Sequence, residues 1–342
     1  MTAKNFEDKL LAIGVAPNHA RTFFARRHFS QMRVEELIRR FDNEISDHYF
    51  PRLAIYAAGS FARGEASKYS DIDLFFVHDD RIGEDIKDPK LREIVLMSKI
   101  IENVQQGMRM PPPSNDGEFL KILQLKDMLD SLGGRHDDYK NHFTTRMLLL
   151  LESVPLLGMQ SYENIVSEII NSYLRDYENH AENFRPTFLV NDILRFWKTL
   201  CLNYEHRRNI DPHVNPVKQK VKNFKLGYSR LMTCFATVGL LSSYNTIDKS
   251  ELIALCKLPP LDRLLLLVDR NSHVVNPLRE ALMEYHWFLE KTEQSTEDLE
   301  KYFSNRENKI EAFSHSGKFG DAMFKVVQAA AQESGTMRYL VV

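Results

Sequence analysis

Two carboxylates and a Gly-Ser pair are the residues of this chain whose types and spacing suit chemistry. Asp71 and Asp73 flank Ile72 at the head of the apolar run Ile72-Asp73-Leu74-Phe75-Phe76-Val77. In a strand, residues i and i+2 project from one face, with Cα atoms about 6.6 Å apart at about 3.3 Å rise per residue. Two carboxylates at that span can converge on one divalent ion, with Mg–O distances of about 2.1 Å. Like charges on adjacent same-face positions repel, so the pattern is costly unless the acids meet a cation. The intervening Ile72, Leu74 and Phe76 are expected on the opposite, buried face. Upstream, Gly59-Ser60 ends another apolar run, Leu53-Ala54-Ile55-Tyr56-Ala57-Ala58. Glycine lets a phosphate come close to the backbone. A serine hydroxyl and the free N–H groups of a helix starting at or after Ser60 would donate to an anion. Taken singly, a Gly-Ser is a turn and an Asp-x-Asp a solvated strand end. Together they suggest metal-assisted chemistry on a phosphate.

These residues need strands to hold them, and the surrounding patterns supply candidates. Both apolar runs are strand-length and rich in β-branched or aromatic residues. Phe119-Leu120-Lys121-Ile122-Leu123-Gln124-Leu125 is a third candidate strand, entered from the turn-forming Pro111-Pro112-Pro113-Ser114-Asn115-Asp116-Gly117. Residues 5–13, 17–27, 31–48 and 91–106 carry apolar side chains at helical spacing. From about residue 137 onward the chain reads as helix almost exclusively, including a run after Pro186 and segments 217–242, 261–269 and 274–294. The plan is a small α/β unit, helices before it and a large helical domain after it.

The series Gly59-Ser60, Arg63-Gly64-Glu65 and Ser70-Asp71-Ile72-Asp73-Leu74 resembles the signature of the DNA polymerase β-like nucleotidyltransferase superfamily. It is most similar to the nitrogen-regulatory protein uridylyltransferase branch and its uncharacterised relatives, with the dense likeness over residues 58–77. The resemblance implies an α+β fold, a small mixed-sheet core over 51–135, an N-terminal helical segment over 1–50 and a helical domain over 136–342 that closes the nucleotide cleft. It implies that Gly59 and Ser60 hold the triphosphate and that Asp71 and Asp73 bind Mg²⁺, with Mn²⁺ as the alternative ion. Arg63 and Glu65 would brace the loop, by an ion pair, with Arg63 also in reach of nucleotide. A third catalytic carboxylate is expected at Glu118, with Asp116 as the alternative; Glu152 and Asp192 read as surface or helix-pairing residues.

The same resemblance implies a basic residue from the helical domain on the phosphates. Lys218, Lys222, Lys225 and Ser229 fall on one helical stripe beside the apolar Val221, Phe224, Tyr228, Leu231 and Phe235. Lys225 is the expected phosphate contact, with Tyr228 or Ser229 near base or ribose; a solvated lysine face is the competing reading. Trp197 and Tyr204 read as an apolar helix face rather than base-stacking residues. Arg207-Arg208 suits either an acidic or phosphate-bearing partner or the charge preference of a helix C-terminus. His136-Asp137 shares a dipeptide with metal phosphohydrolase domains, but it lies in an expected loop without the companion His and Asp.

The expected activity is NMP transfer from an NTP such as ATP to an acceptor hydroxyl, a protein first, a small molecule such as an aminoglycoside or an RNA end otherwise. The rival class is a catalytically silent nucleotide-binding module; a toxin–antitoxin or defence role suits either. A chain of 342 residues is expected to be too short for the hydrolase and paired regulatory domains of the nitrogen-regulatory enzymes. Lys+Arg of 45 against Asp+Glu of 47 leaves a net charge of -2, which argues against binding long nucleic acid. No apolar run approaches ~18 residues, which argues against a membrane span. The N-terminus lacks the apolar core of a signal peptide, so a cytoplasmic location is expected. Cys201, Cys234 and Cys256 form no CxxC and read as buried thiols.

Overall fold

The two strands next to the motif residues, one ending before Gly59 and one starting at Asp73, form the centre of a four-stranded mixed sheet in the order β3-β2-β1-β4; Asp71, expected in the second strand, precedes it. In this computed structural model, which describes residues 3–45, 50–81, 83, 88–111, 117, 120–210, 215–332 and 334–340, β1 is Leu53–Ala58 and β2 is Asp73–His78. β3 (Ile122–Gln124) and β4 (Val154–Leu157) are the edges. β1 runs antiparallel to both β2 and β4, while β2 and β3 are parallel. The α+β architecture expected from the sequence is the one observed.

The chain divides into two compact units. One, the sheet unit, comprises Arg26–Arg175 with Lys249–Pro259; the other, helical, comprises Met1–Ala25, Asp176–Asp248 and Pro260–Val342. These boundaries differ from the expected 1–50, 51–135 and 136–342. Two features account for the difference. Residues expected as separate helices over 17–27 and 31–48 form one helix, Pro17–Glu44, with the unit boundary inside it. And β4, absent from the sequence reading, ties the segment after 136 to the sheet.

The helices up to residue 173 are α1 (Ala3–Ala12), α2 (Pro17–Glu44), α3 (Gly59–Arg63), α4 (Pro89–Glu102), α5 (Leu125–Asp130), α6 (Arg135–Tyr139), α7 (His142–Leu151) and α8 (Met159–Tyr173). β1 is buried along its whole length because both faces are covered. On one face Ile55, Ala57, Ile72, Leu74 and Phe76 join Val34, Leu37 and Phe41 of α2 and Leu96 and Ile100 of α4 in a single core. On the other face Tyr56 stacks on Phe75 at 5.5 Å and meets Tyr162 of α8 edge-on. The Tyr56 hydroxyl donates to the carbonyl of Thr145 in α7, and burial pushes its pKa well up. Strand alternation puts Asp73 on this second face, with Tyr56 and Phe75.

β4 is short and contains Pro155, which is tolerated because an edge strand leaves the N–H side unpaired. It is followed by Gly158 with φ of +70°, where a Cβ would lie 2.0 Å from the Leu53 carbonyl oxygen. Only glycine allows the chain to pass β1 so closely there. The third strand is shorter than expected, because Leu125 already begins α5.

His136-Asp137 lies not in a loop but in α6, and Asp137 is a core residue. Its carboxylate takes two hydrogen bonds from Arg146 of α7, at 2.9 and 2.7 Å, both side chains being fully buried. Arg146 also donates to the Tyr173 hydroxyl and the Met128 carbonyl. One guanidinium thus joins α5, α6, α7 and α8. Breaking a buried pair strands a charge at a cost of about 3–5 kcal/mol, so Asp137→Asn or Arg146→Met should lower Tm by about 10 °C. The double variant Asp137→Leu/Arg146→Met should recover most of that loss in thermal unfolding followed by circular dichroism.

Candidate active site

β1 ends at Ala58, and the chain turns at Gly59 into the short helix α3. The turn needs glycine on two counts. Its φ is +70°, a region that side chains disfavour, and a Cβ there would stand 2.7 Å from Oδ2 of Asp73. The Asp73 carboxylate therefore sits directly against the Gly59 backbone. The ladder explains this, since Ala58 is paired with Asp73 across β1 and β2. Asp71, half-buried like Asp73, lies two residues earlier, with the fully buried Ile72 between them. The opposite-face placement expected for Ile72, Leu74 and Phe76 is the one found. Ser60 is half-buried in the first turn of α3.

The return from α3 to β2 is held at several points. The Glu65 N–H donates to the Ser60 carbonyl at 2.8 Å, and Arg26 of α2 donates to the Glu65 carbonyl. The Ala66 N–H donates to the Ser30 hydroxyl of α2 at 2.9 Å. Ser67 and Ser70 bond each other's backbone, which fixes the approach to Asp71.

Beneath the turn lies a buried charge cluster. Arg63 donates from Nε to Glu65 at 2.7 Å and from Nη1 to Oε2 of Glu152 at 2.8 Å. The other oxygen of Glu152, Oε1, accepts from the Gly59 N–H at 3.3 Å. The three side chains are 6%, 7% and 0% exposed in the order Arg63, Glu65, Glu152. The expected Arg63–Glu65 ion pair is present, and Glu152 is the residue that sequence reasoning missed. It is neither a surface nor a helix-pairing residue. It follows the last residue of α7, and the β1–β4 register, Tyr56 with Pro155 and Ala57 with Val154, continues to bring Glu152 opposite Gly59. A signal was available in Val154-Pro155-Leu156-Leu157-Gly158, a strand-length apolar run closed by glycine.

The remaining expected residues are placed elsewhere. Glu118 and Asp116 lie outside the described residues. Asp192 pairs with Arg195 one turn along its own helix, as expected of a helix-pairing residue. Lys218, Lys222 and Lys225 are exposed on the helix Pro216–Lys225 of the helical unit. Tyr228 is fully buried, stacked between Phe288 and Phe319 at 4.6 and 4.9 Å. Burial, reinforced by the charge of Glu284, raises its hydroxyl pKa. Ser229 is buried, and its carbonyl accepts from the Thr233 hydroxyl. Trp197 packs edge-on against Phe235, in keeping with an apolar helix face.

Among the described residues no three His, Cys, Asp or Glu side chains form a metal-holding group. The two aspartates nevertheless fit Mg²⁺, a hard ion that takes one or two carboxylates and completes its shell with water and substrate phosphates. No described helix is long and apolar enough to cross a membrane.

Residues 38–145 match the family model of the nucleotidyltransferase domain. Over this span the chain is similar to nucleotidyltransferase domains. The match takes in β1, β2 and β3 and ends before Glu152 and β4. No curated protein matches the chain.

Gly59→Ala should test the turn. The left-handed φ costs a non-glycine residue about 1–3 kcal/mol, and the clash with Asp73 adds to it. Adding Asp73→Ala should restore only the clash part, seen as a partial recovery of Tm.

Proposed function

We propose that this chain is a Mg²⁺-dependent nucleotidyltransferase that moves an NMP from an NTP to an acceptor hydroxyl, with a protein as the favoured acceptor. The observation that carries the reading is the Asp73 carboxylate seated against a glycine turn, two residues after Asp71 and inside the matched domain. The protein acceptor rests on the motif's likeness to the uridylyltransferase branch.

In this reading Asp71 and Asp73 hold the ion, which when bound supplies neutralising charge to the triphosphate. Ser60 offers its hydroxyl to the phosphates, and Gly59 lets the Asp73 carboxylate lie against the turn beside it. The acceptor oxygen forms a bond to the α-phosphorus as the bond to the bridging oxygen breaks. Pyrophosphate leaves with the electron pair, and the acceptor's proton passes to a carboxylate or to solvent. Alignment of the acceptor by this chain supplies the rest of the rate, because fixing two reactants removes the entropy of bringing them together.

Incubation with each of four α-labelled NTPs, Mg²⁺ and a cell lysate, with protein, RNA and small molecules resolved separately, tests activity and acceptor together. Label on protein is the expected result. Asp71→Asn/Asp73→Asn should reduce transfer at least about 100-fold, on the scale of losing a main electrostatic contribution, while Tm stays within a few degrees. Full activity in that variant overturns the reading. Nucleotide binding without pyrophosphate release from any pool supports a silent module instead.

A further inference from the structure

We propose that Glu152 is the positioning carboxylate of the nucleotide turn, acting through Gly59 and Arg63 and not as a metal ligand. The proposal rests on the nucleotidyltransferase reading above and assigns a residue outside the matched domain span.

Glu152 occupies a costly place. It follows the last residue of α7, where the helix dipole is negative and disfavours a carboxylate. It is also fully buried, and a buried ion costs several kcal/mol unless paired. Both of its oxygens are nonetheless committed. Oε2 takes the Arg63 Nη1 donor at 2.8 Å, and Oε1 takes the Gly59 N–H at 3.3 Å. A carboxylate so committed has spent its best lone pairs on donors, which is the condition of a brace.

The placement also explains what is braced. Gly59 is held on one side by Glu152 and contacted on the other by Asp73. Arg63, one turn of α3 later, is drawn to the same carboxylate and to Glu65. Glu152 therefore fixes both ends of α3, and with them the direction in which Ser60 presents its hydroxyl. A main-chain turn at positive φ has no side chain of its own to hold it, so its orientation is set by what its N–H bonds.

The test uses Glu152→Gln and Glu152→Ala in the full-length chain, with Asp73→Asn alongside. Gln keeps a carbonyl oxygen for Gly59 but offers Arg63 no charge; Ala removes both bonds. Hydrogen exchange at the Gly59 amide should be near wild type in Glu152→Gln and clearly faster in Glu152→Ala. In transfer assays with labelled ATP, GTP, CTP and UTP, the KM for the NTP that reacts should rise in the order wild type, Gln, Ala. The rise expected for Ala is about tenfold to hundredfold, the scale of a lost charge-assisted hydrogen bond. The Mg²⁺ half-saturation should stay within about twofold, since no metal ligand is removed. Wild-type KM and Gly59 exchange in folded Glu152→Ala overturn the proposal, as does a Mg²⁺ half-saturation that shifts in both Glu152 variants. If Glu152→Ala does not fold, Glu152→Gln alone decides: an unchanged KM overturns the proposal. Full transfer by Asp73→Asn would instead sink the underlying nucleotidyltransferase reading, and Gly59 exchange would still report on the brace.

Discussion

A guanidinium shielded from water has to be neutralised where it stands, and the sheet unit is arranged so that Arg63 is neutralised twice. Glu65 arrives from the loop after α3 and Glu152 from the end of α7. The two carboxylates are 87 residues apart in sequence, yet each reaches a separate nitrogen of one side chain. Glu152 also accepts from the Gly59 N–H, a backbone donor just beyond the end of β1. Turn, loop and the α7–β4 junction are in this way held as one piece, with the Asp73 carboxylate against the turn.

The sheet depends on this junction as well. β4 is recruited to β1 directly after Glu152, and Gly158 lets the chain leave β4 while nearly touching Leu53. Within β1, Tyr56 packs toward α7 and α8 while its neighbours Ile55 and Ala57 pack toward α2 and α4. A six-residue strand thus serves two cores.

The parts of this arrangement that could be read from the sequence are those with short-range signatures. Gly59-Ser60, Asp71 and Asp73 lie within 15 residues, and the apolar alternation through Leu74 and Phe76 set the face of Asp73, whereas Asp71 precedes the first residue of β2 and is not in the strand. β1 could be read to the residue because Gly59 ends it. Glu152 could not be read in this way, since its role depends on a ladder pairing made 93 residues from Gly59, as the hydrogen bond between them shows. β4 was obscured by Pro155, which argues against a strand unless the strand is known to be an edge. Tyr228 illustrates the opposite difficulty. An aromatic at helical spacing beside lysines reads as a cleft wall or as core, and the partners that decide, Phe288 and Phe319, come from distant helices. Asp137 was disguised by its neighbour, since His136 is exposed and Asp137 is sealed in the core.

The two outer strands have a consequence for how the chain behaves in company. An open sheet edge offers unpaired donors and acceptors on which a foreign strand can build. Here one edge is three residues long, and its Ile122 N–H is already occupied by the Glu93 carboxylate. The other edge is interrupted by a proline that has no N–H to give. Neither presents a length of backbone sufficient for an intruding strand to take hold. The sheet thus carries its own protection against strand-to-strand aggregation, written into the brevity and composition of its borders.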